Sequence, residues 1–217
     1  GSAGEVIFGL PIHSGGLPES SSPDGQPVAY TLAGARPDIY LMSADEEPVL
    51  FEPDASSPEI SPDGRSVAYS AQYSGTRQVF VVSIDGGAAR QLTHYTDVGA
   101  MPPRGGFDYW IQGWSPEGQN LVRMNSKTSG ARPGRYFLVD PEGGLEQPLP
   151  IYIGGSASFS PDGKALAYTY FDREFRTWKR HMGGRNQDIW TFDLQAGKSR
   201  RLTDWDGSDN FPMWHGD

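Results

Sequence analysis

The chain of 217 residues carries a formal net charge of -9 with pI ≈ 4.9, which weighs against nucleic acid or an anionic membrane as main partner, since both need clustered positive charge. It has no cysteine, so disulfides, a zinc ribbon and a thiol nucleophile are excluded while the compartment stays open, and no run approaches the roughly 18 apolar residues of a membrane span. Its 28 Gly and 18 Pro are spread along the length, a composition that suits many short strands and argues against long helices.

Taken in chain order, Gly1-Ser2 reads as an expression scar, which leaves room for a native signal. Glu5-Val6-Ile7-Phe8-Gly9-Leu10 predicts a strand that either ends a preceding unit or pairs with the C-terminal strand. One tetrapeptide then recurs as Ser22-Pro23-Asp24-Gly25, Ser61-Pro62-Asp63-Gly64, Ser115-Pro116-Glu117-Gly118 and Ser160-Pro161-Asp162-Gly163. In each copy Pro presets φ, the Ser oxygen caps and Gly accepts left-handed geometry, so each predicts a type I turn joining two strands.

What surrounds the turns repeats as well. A short strand precedes each, such as Ser156 to Phe159, and an apolar strand follows: Val28-Ala29-Tyr30, Val67-Ala68-Tyr69, Leu121-Val122-Arg123 and Leu166-Ala167-Tyr168. A third strand brings an aromatic: Asp38-Ile39-Tyr40, Gln78-Val79-Phe80, Arg135-Tyr136-Phe137 and Asp188-Ile189-Trp190. After a polar turn comes a fourth, clearest as Arg90-Gln91-Leu92-Thr93 and Arg201-Leu202-Thr203. Four strands in meander, repeated in this way, predict an all-β fold of β-propeller blades over approximately 20–52, 56–93, 110–149 and 156–203, with 209–217 starting the next blade. We expect about four to five blades, a segment of a larger, six-bladed ring. A β-sandwich also has short strands and regular turns, but it does not need the same turn at the same place in every unit.

The Ser-Pro-Asp-Gly units resemble the PD40, or WD40-like, repeats of TolB and of the N-terminal propeller of tricorn protease. Two longer stretches are similar to the tricorn-type peptidase propellers: Met101-Pro102-Pro103-Arg104-Gly105-Gly106-Phe107-Asp108 with Gly113-Trp114-Ser115-Pro116, and 173–180 with Gly183-Gly184-Arg185 and Gln187-Asp188-Ile189-Trp190. The ending Asp209-Asn210-Phe211-Pro212-Met213-Trp214-His215-Gly216-Asp217 is similar too. The resemblance covers the chain from about Ser56 onward. It implies a parent that continues into further blades, a second propeller, a PDZ-like domain and a serine peptidase domain, with the rest of that chain as a partner.

No catalytic constellation is legible. His13, His94, His181 and His215 show no metal-ligand pairing, and Gly-x-Ser-x-Gly is absent. The nearest stretch, Gly154-Gly155-Ser156-Ala157-Ser158, precedes a strand and reads as a blade connection. Asp204, Asp206 and Asp209 around Gly207 faintly resemble a calcium loop but lack a Glu at the required distance. No cofactor and no metal are expected. Phe171, Phe175, Trp178 and Met182 have helical spacing, which suits either two turns of helix or side chains pinning a long loop.

In a four-stranded meander, the loops between strands two and three and those from strand four to the next blade share one face. That face receives Arg36, Arg77, Arg104, Lys127, Arg132, Arg173, Arg176, Lys179, Arg180 and Arg185, ten of the 18 basic residues. The opposite face receives Asp24, Asp45, Glu46, Glu47, Asp63, Asp85, Glu117, Asp140, Glu142, Asp162 and Asp193 against Arg65, Lys164 and Lys198, a net of minus eight. The long loops 94–109, 126–134 and 171–187 fall on the basic face, and loops of that length in a compact repeat are more often functional than incidental. The expected binding residues are Arg104, Lys127, Arg132, Arg173, Arg176, Lys179, Arg180 and Arg185, with a peptide or protein as ligand. The expectation is thus a non-catalytic propeller module of a tricorn-like serine peptidase, cytoplasmic, for peptide docking or substrate gating. A stand-alone, periplasmic TolB-like adaptor is the alternative, followed by a propeller lyase or glycosidase. An open blade flank predicts closure by the chain's own termini or a homo-oligomer.

Overall fold

Each Ser-Pro-Asp/Glu-Gly turn closes with the glycine N–H donating to the serine carbonyl, at 2.8 Å for Gly25 and 2.9 Å for Gly64, Gly118 and Gly163. The glycines hold φ of +84, +72, +88 and +68°, where a Cβ would be strained. The four serines are buried. Ser61 Oγ donates to Asp63 Oδ1 at 2.6 Å and Ser160 Oγ to Asp162 Oδ1 at 2.7 Å, while each Oγ also accepts from the backbone five residues on. The turn carboxylates are therefore knitted into their own turns.

The structure, a computed structural model, describes residues 18–25, 27–32, 37–43, 46–73, 75–94, 109–124, 134–171 and 187–214. These form four antiparallel sheets of four strands each in simple meander. Blade 1 holds β1 (Pro18–Ser21), β2 (Val28–Leu32), β3 (Asp38–Met42) and β4 (Val49–Glu52); blade 2 holds β5 (Ala55–Ile60), β6 (Ser66–Ala71), β7 (Gln78–Ser83) and β8 (Arg90–Gln91). Blade 3 holds β9 (Tyr109–Trp114), β10 (Asn120–Met124), β11 (Arg135–Val139) and β12 (Gln147–Pro148); blade 4 holds β13 (Ala157–Phe159), β14 (Ala165–Tyr168), β15 (Trp190–Asp193) and β16 (Lys198–Arg201). The first strands pack against one another in succession, β1 on β5, β5 on β9 and β9 on β13, so they form the inner wall of the arc. The fold is all-β, and its sheets are propeller blades.

Central strands lie between two neighbouring blades, so both of their faces are covered. That is why Val67-Ala68-Tyr69 and Val79 to Val82 read as unbroken apolar runs. Period-two alternation still sorts them: Val67, Tyr69, Phe80 and Val82 join Ala29 and Ile39 in the seam with blade 1, whereas Ala68, Val79 and Val81 meet Phe137 and Val139 of blade 3. Blades 3 and 4 share a third cluster built on Tyr136, Leu166, Tyr168 and Phe192.

Polar bonds cross the same seams. Ser20 Oγ accepts from Ile60 N at 2.9 Å, Gln112 Oε1 from Ala157 N at 3.0 Å, and Trp114 Nε1 donates to Glu59 O at 2.9 Å. Trp214 Nε1 donates to Ser158 O at 3.1 Å. Glu59 and Ser158 each stand two residues before the serine of their turn, so Trp214 takes on blade 4 the bond that Trp114 takes on blade 2.

One turn makes a pH prediction. The Ser160 hydroxyl and then the Lys164 backbone N–H hold the Asp162 carboxyl down at about 2, and the Ser61 hydroxyl lowers Asp63 in the same way. A depressed carboxylate contributes stability that is present above its unfolded value of roughly 3.9 and lost as pH falls through the folded one. Urea unfolding midpoints should therefore fall as pH drops from about 4 towards about 2, and Asp162→Asn should flatten that profile. A profile of unchanged slope in the variant would refute the assignment.

Candidate functional site

The meander places the ends of each second strand and the starts of each third strand on one face of the arc, together with the connections between blades. The described stems of the three long loops, His94 and Tyr109, Met124 and Gly134, Phe171 and Gln187, are all on that face. The eight expected binding residues, Arg104, Lys127, Arg132, Arg173, Arg176, Lys179, Arg180 and Arg185, lie outside the described residues, as do Arg36, the strand expected over 5–10 and the helix or loop expected across 172–182. What the structure supplies is the platform that carries them.

That platform is tied by buried polar side chains. Thr93, fully buried, accepts from Val79 N at 2.9 Å and donates to Gln78 Oε1 at 2.7 Å. Thr203 repeats the first bond with Ile189 N at 3.0 Å. The recurring Leu-Thr pair thus ends the fourth strand by tying it to the start of the third. Gln187 staples the largest loop: its Oε1 accepts from Phe171 N at 2.8 Å, its amide donates to Asn210 Oδ1, and its carbonyl accepts from Asp209 N at 2.8 Å. Both stems of 172–186 and the 209–214 segment therefore converge on one buried amide.

Several charged and aromatic groups stand around these stems. Arg77 Nη1 reaches Ser56 Oγ at 3.4 Å within blade 2, from the start of β7 to β5. Tyr73 Oη donates to Glu52 and lies 3.4 Å from Tyr69 Oη. Burial, reinforced by the Glu52 hydrogen bond, pushes the Tyr73 phenol upward, and burial raises Tyr69 likewise, so both remain neutral donors. In blade 4, Tyr170 stacks on Trp190 at 5.2 Å and Arg201 pairs with Asp188 at 2.8 Å. In blade 3, the Arg135 guanidinium lies 5.6 Å from the Tyr152 ring centroid, and its Nε is buried with no hydrogen-bond partner among the described residues. Tyr152 is 76% exposed. Among the described residues, no group of three or more His, Asp or Glu could hold a metal ion.

Residues 51–217 match the family model of the tricorn protease N-terminal beta propeller domain. The chain belongs to that family. Tricorn protease homolog 1 of Streptomyces coelicolor is 30% identical over 206 residues, which cover 90% of this chain and 18% of that protein. A tricorn protease homolog of Saccharolobus solfataricus is 25% identical, over 81% of this chain and 16% of its own length. The chain thus spans under a fifth of these relatives. The crystal structure of the tricorn protease shares the fold at TM-score 0.69 and 17% identity, over 93% of this chain and 20% of that one. TolB from Acinetobacter baumannii follows at TM-score 0.61 and 21% identity, over 89% and 45%.

In this tricorn-type propeller, Arg135 opens a third strand, so in the sequence it reads as part of the ladder. Its signal was positional: it directly follows the loop that carries Lys127 and Arg132. Tyr152 has no comparable signal, since only the packing of the blade 3 to blade 4 connection brings it to Arg135.

Proposed function

We propose that this chain is a non-catalytic module of a tricorn-like serine peptidase, which docks acidic or carboxylate-bearing peptide segments on its long-loop face or gates their passage. The charge partition carries the reading: ten of the 18 basic residues fall on that face by topology, although the chain as a whole is acidic. Arg135 adds a described anchor, since guanidinium forks pair carboxylates bidentately and Tyr152 offers a flat exposed wall beside it. The six-bladed ring, continued beyond 209–217, and the cytoplasmic compartment of such a parent belong to the same proposal. So does the role of the rest of the parent chain as partner.

The test is fluorescence anisotropy of a labelled Glu-rich peptide and of its Gln counterpart, titrated with the chain at low and physiological ionic strength. The acidic peptide should bind the tighter, with affinity falling steeply as salt rises. A fluorogenic panel of peptides, esters and glycosides run beside it should show no turnover. Equal binding of the two peptides would sink the docking reading, and turnover abolished by one point substitution in the chain would sink the non-catalytic one.

A further inference from the structure

The outermost strand of a blade leaves a row of backbone N–H and C=O groups without a sheet partner, and such edges are ordinarily blunted by shortness, proline or charge. Three of the four outer strands follow that rule. β8 has two residues, β12 has two including Pro148, and the four-residue β16 is exposed throughout and carries Lys198, Arg200 and Arg201. β4 does not. Its four residues contain no cation and no proline, and Val49 and Leu50 are 65% and 49% exposed. Its surroundings are acidic, with Glu46 and Glu47 before it and Glu52 at its end, where the Tyr73 hydroxyl donates to the carboxylate. The cationic β16 is followed by Leu202, itself 53% exposed.

We propose that these two edges are partners: β4 of one copy pairs with β16 of a second copy, joining blade 1 to blade 4 head to tail. One antiparallel register sets Leu50 opposite Leu202 and Glu52 opposite Arg200, matching apolar with apolar and acid with base. Neither edge suits itself, because two copies of β4 bring carboxylates together and two copies of β16 bring cations together. The contact is therefore heterologous, and it builds open chains or closed rings of copies. Two four-residue strands bury little surface, so association is weak, concentration-dependent and reduced by salt. This interface uses the outer rim and stands apart from peptide docking on the long-loop face.

Sedimentation velocity of the 217-residue chain, over a concentration series at low and physiological ionic strength, should show reversible self-association. Leu50→Lys should weaken it roughly tenfold or more, and so should the double variant Arg200→Glu/Leu202→Glu. All three side chains are exposed, so circular dichroism melts should match the unsubstituted chain, and Val49→Lys replaces Leu50→Lys if that variant does not fold. The decisive measurement is an equimolar mixture. The Leu50→Lys copy keeps an intact β16 and the double variant keeps an intact β4, so the mixture should recover dimers that cannot grow further. An unsubstituted chain that stays monomeric throughout, variants that associate as it does, or a mixture that remains monomeric would each overturn the proposal.

Discussion

Gly154→Ala is expected to unfold this domain at a lower temperature than the same change at the glycine of any Ser-Pro-Asp/Glu-Gly turn. A Cβ on Gly154 would sit 2.2 Å from Cε2 and 2.4 Å from Cζ of Tyr136. That ring has nowhere to go. It is fully buried, its hydroxyl donates to Gly155 O at 2.8 Å, and its edge meets Tyr168 at 6.2 Å between centroids. The glycine cannot retreat either, because its N–H donates to Gly134 O at 2.8 Å across the bridge that joins the two stretches. Overpacking of this kind costs roughly 1–3 kcal/mol, and a clash with so little slack belongs at the upper end, or about 2–4 °C of Tm per kcal/mol for a domain of this size. Gly118→Ala is the control: at φ +88° with nothing within 4 Å, it carries only backbone strain of about 1–2 kcal/mol. Because the cost arises from one contact, Gly154→Ala should be nearly silent in a Tyr136→Ala background. Additive losses in that double variant would show that Gly154 matters for another reason.

The same pair shows where sequence reading stops. Gly154-Gly155-Ser156 was legible as a connection between blades, yet the requirement for a missing side chain is created by Tyr136, eighteen positions earlier in the chain. The turns were legible because their chemistry is local: proline, a capping oxygen and a left-handed glycine act within four residues. The Leu-Thr ending was visible as a repeat, but its work was not, since Val79 N and Ile189 N are brought to Thr93 and Thr203 only by strand pairing. Strand limits shifted for a related reason. Arg90-Gln91-Leu92-Thr93 reads as one strand, but only Arg90 and Gln91 are laddered as such, and Thr93 turns inward to cap. The side on which each long loop leaves was legible from topology alone, because a meander assigns every loop to a side before any side chain is placed, and the described stems follow that assignment. The Arg135–Tyr152 contact was not legible, because a strand position in the sequence says nothing of the blade connection that packs against it.

Removing the cations of the largest loop should weaken acidic-peptide binding far more than removing cations from the turn face. The comparison is Arg173, Arg176, Lys179 and Arg180 replaced together by Ala, against Arg65, Lys164 and Lys198 replaced together by Ala. The two variants change net charge by four and three, so any effect of the chain's overall field is nearly matched, and what remains is position. Position matters because screening at physiological salt limits exposed charges to about 8 Å, far less than the distance between opposite faces of a blade several residues long. An exposed ion pair contributes roughly 0.2–1 kcal/mol, so four acting together predict a loss of roughly fourfold to several-hundred-fold at low salt, shrinking as salt rises. Arg135→Ala should add a smaller loss that salt erodes less, since its Nε is already buried and the Tyr152 ring already orients its guanidinium. Anisotropy titrations at chain concentrations below the onset of self-association read all three variants. Equal losses from the loop and turn-face variants, or binding indifferent to salt, would return the basic face to a solvated surface with no docking role.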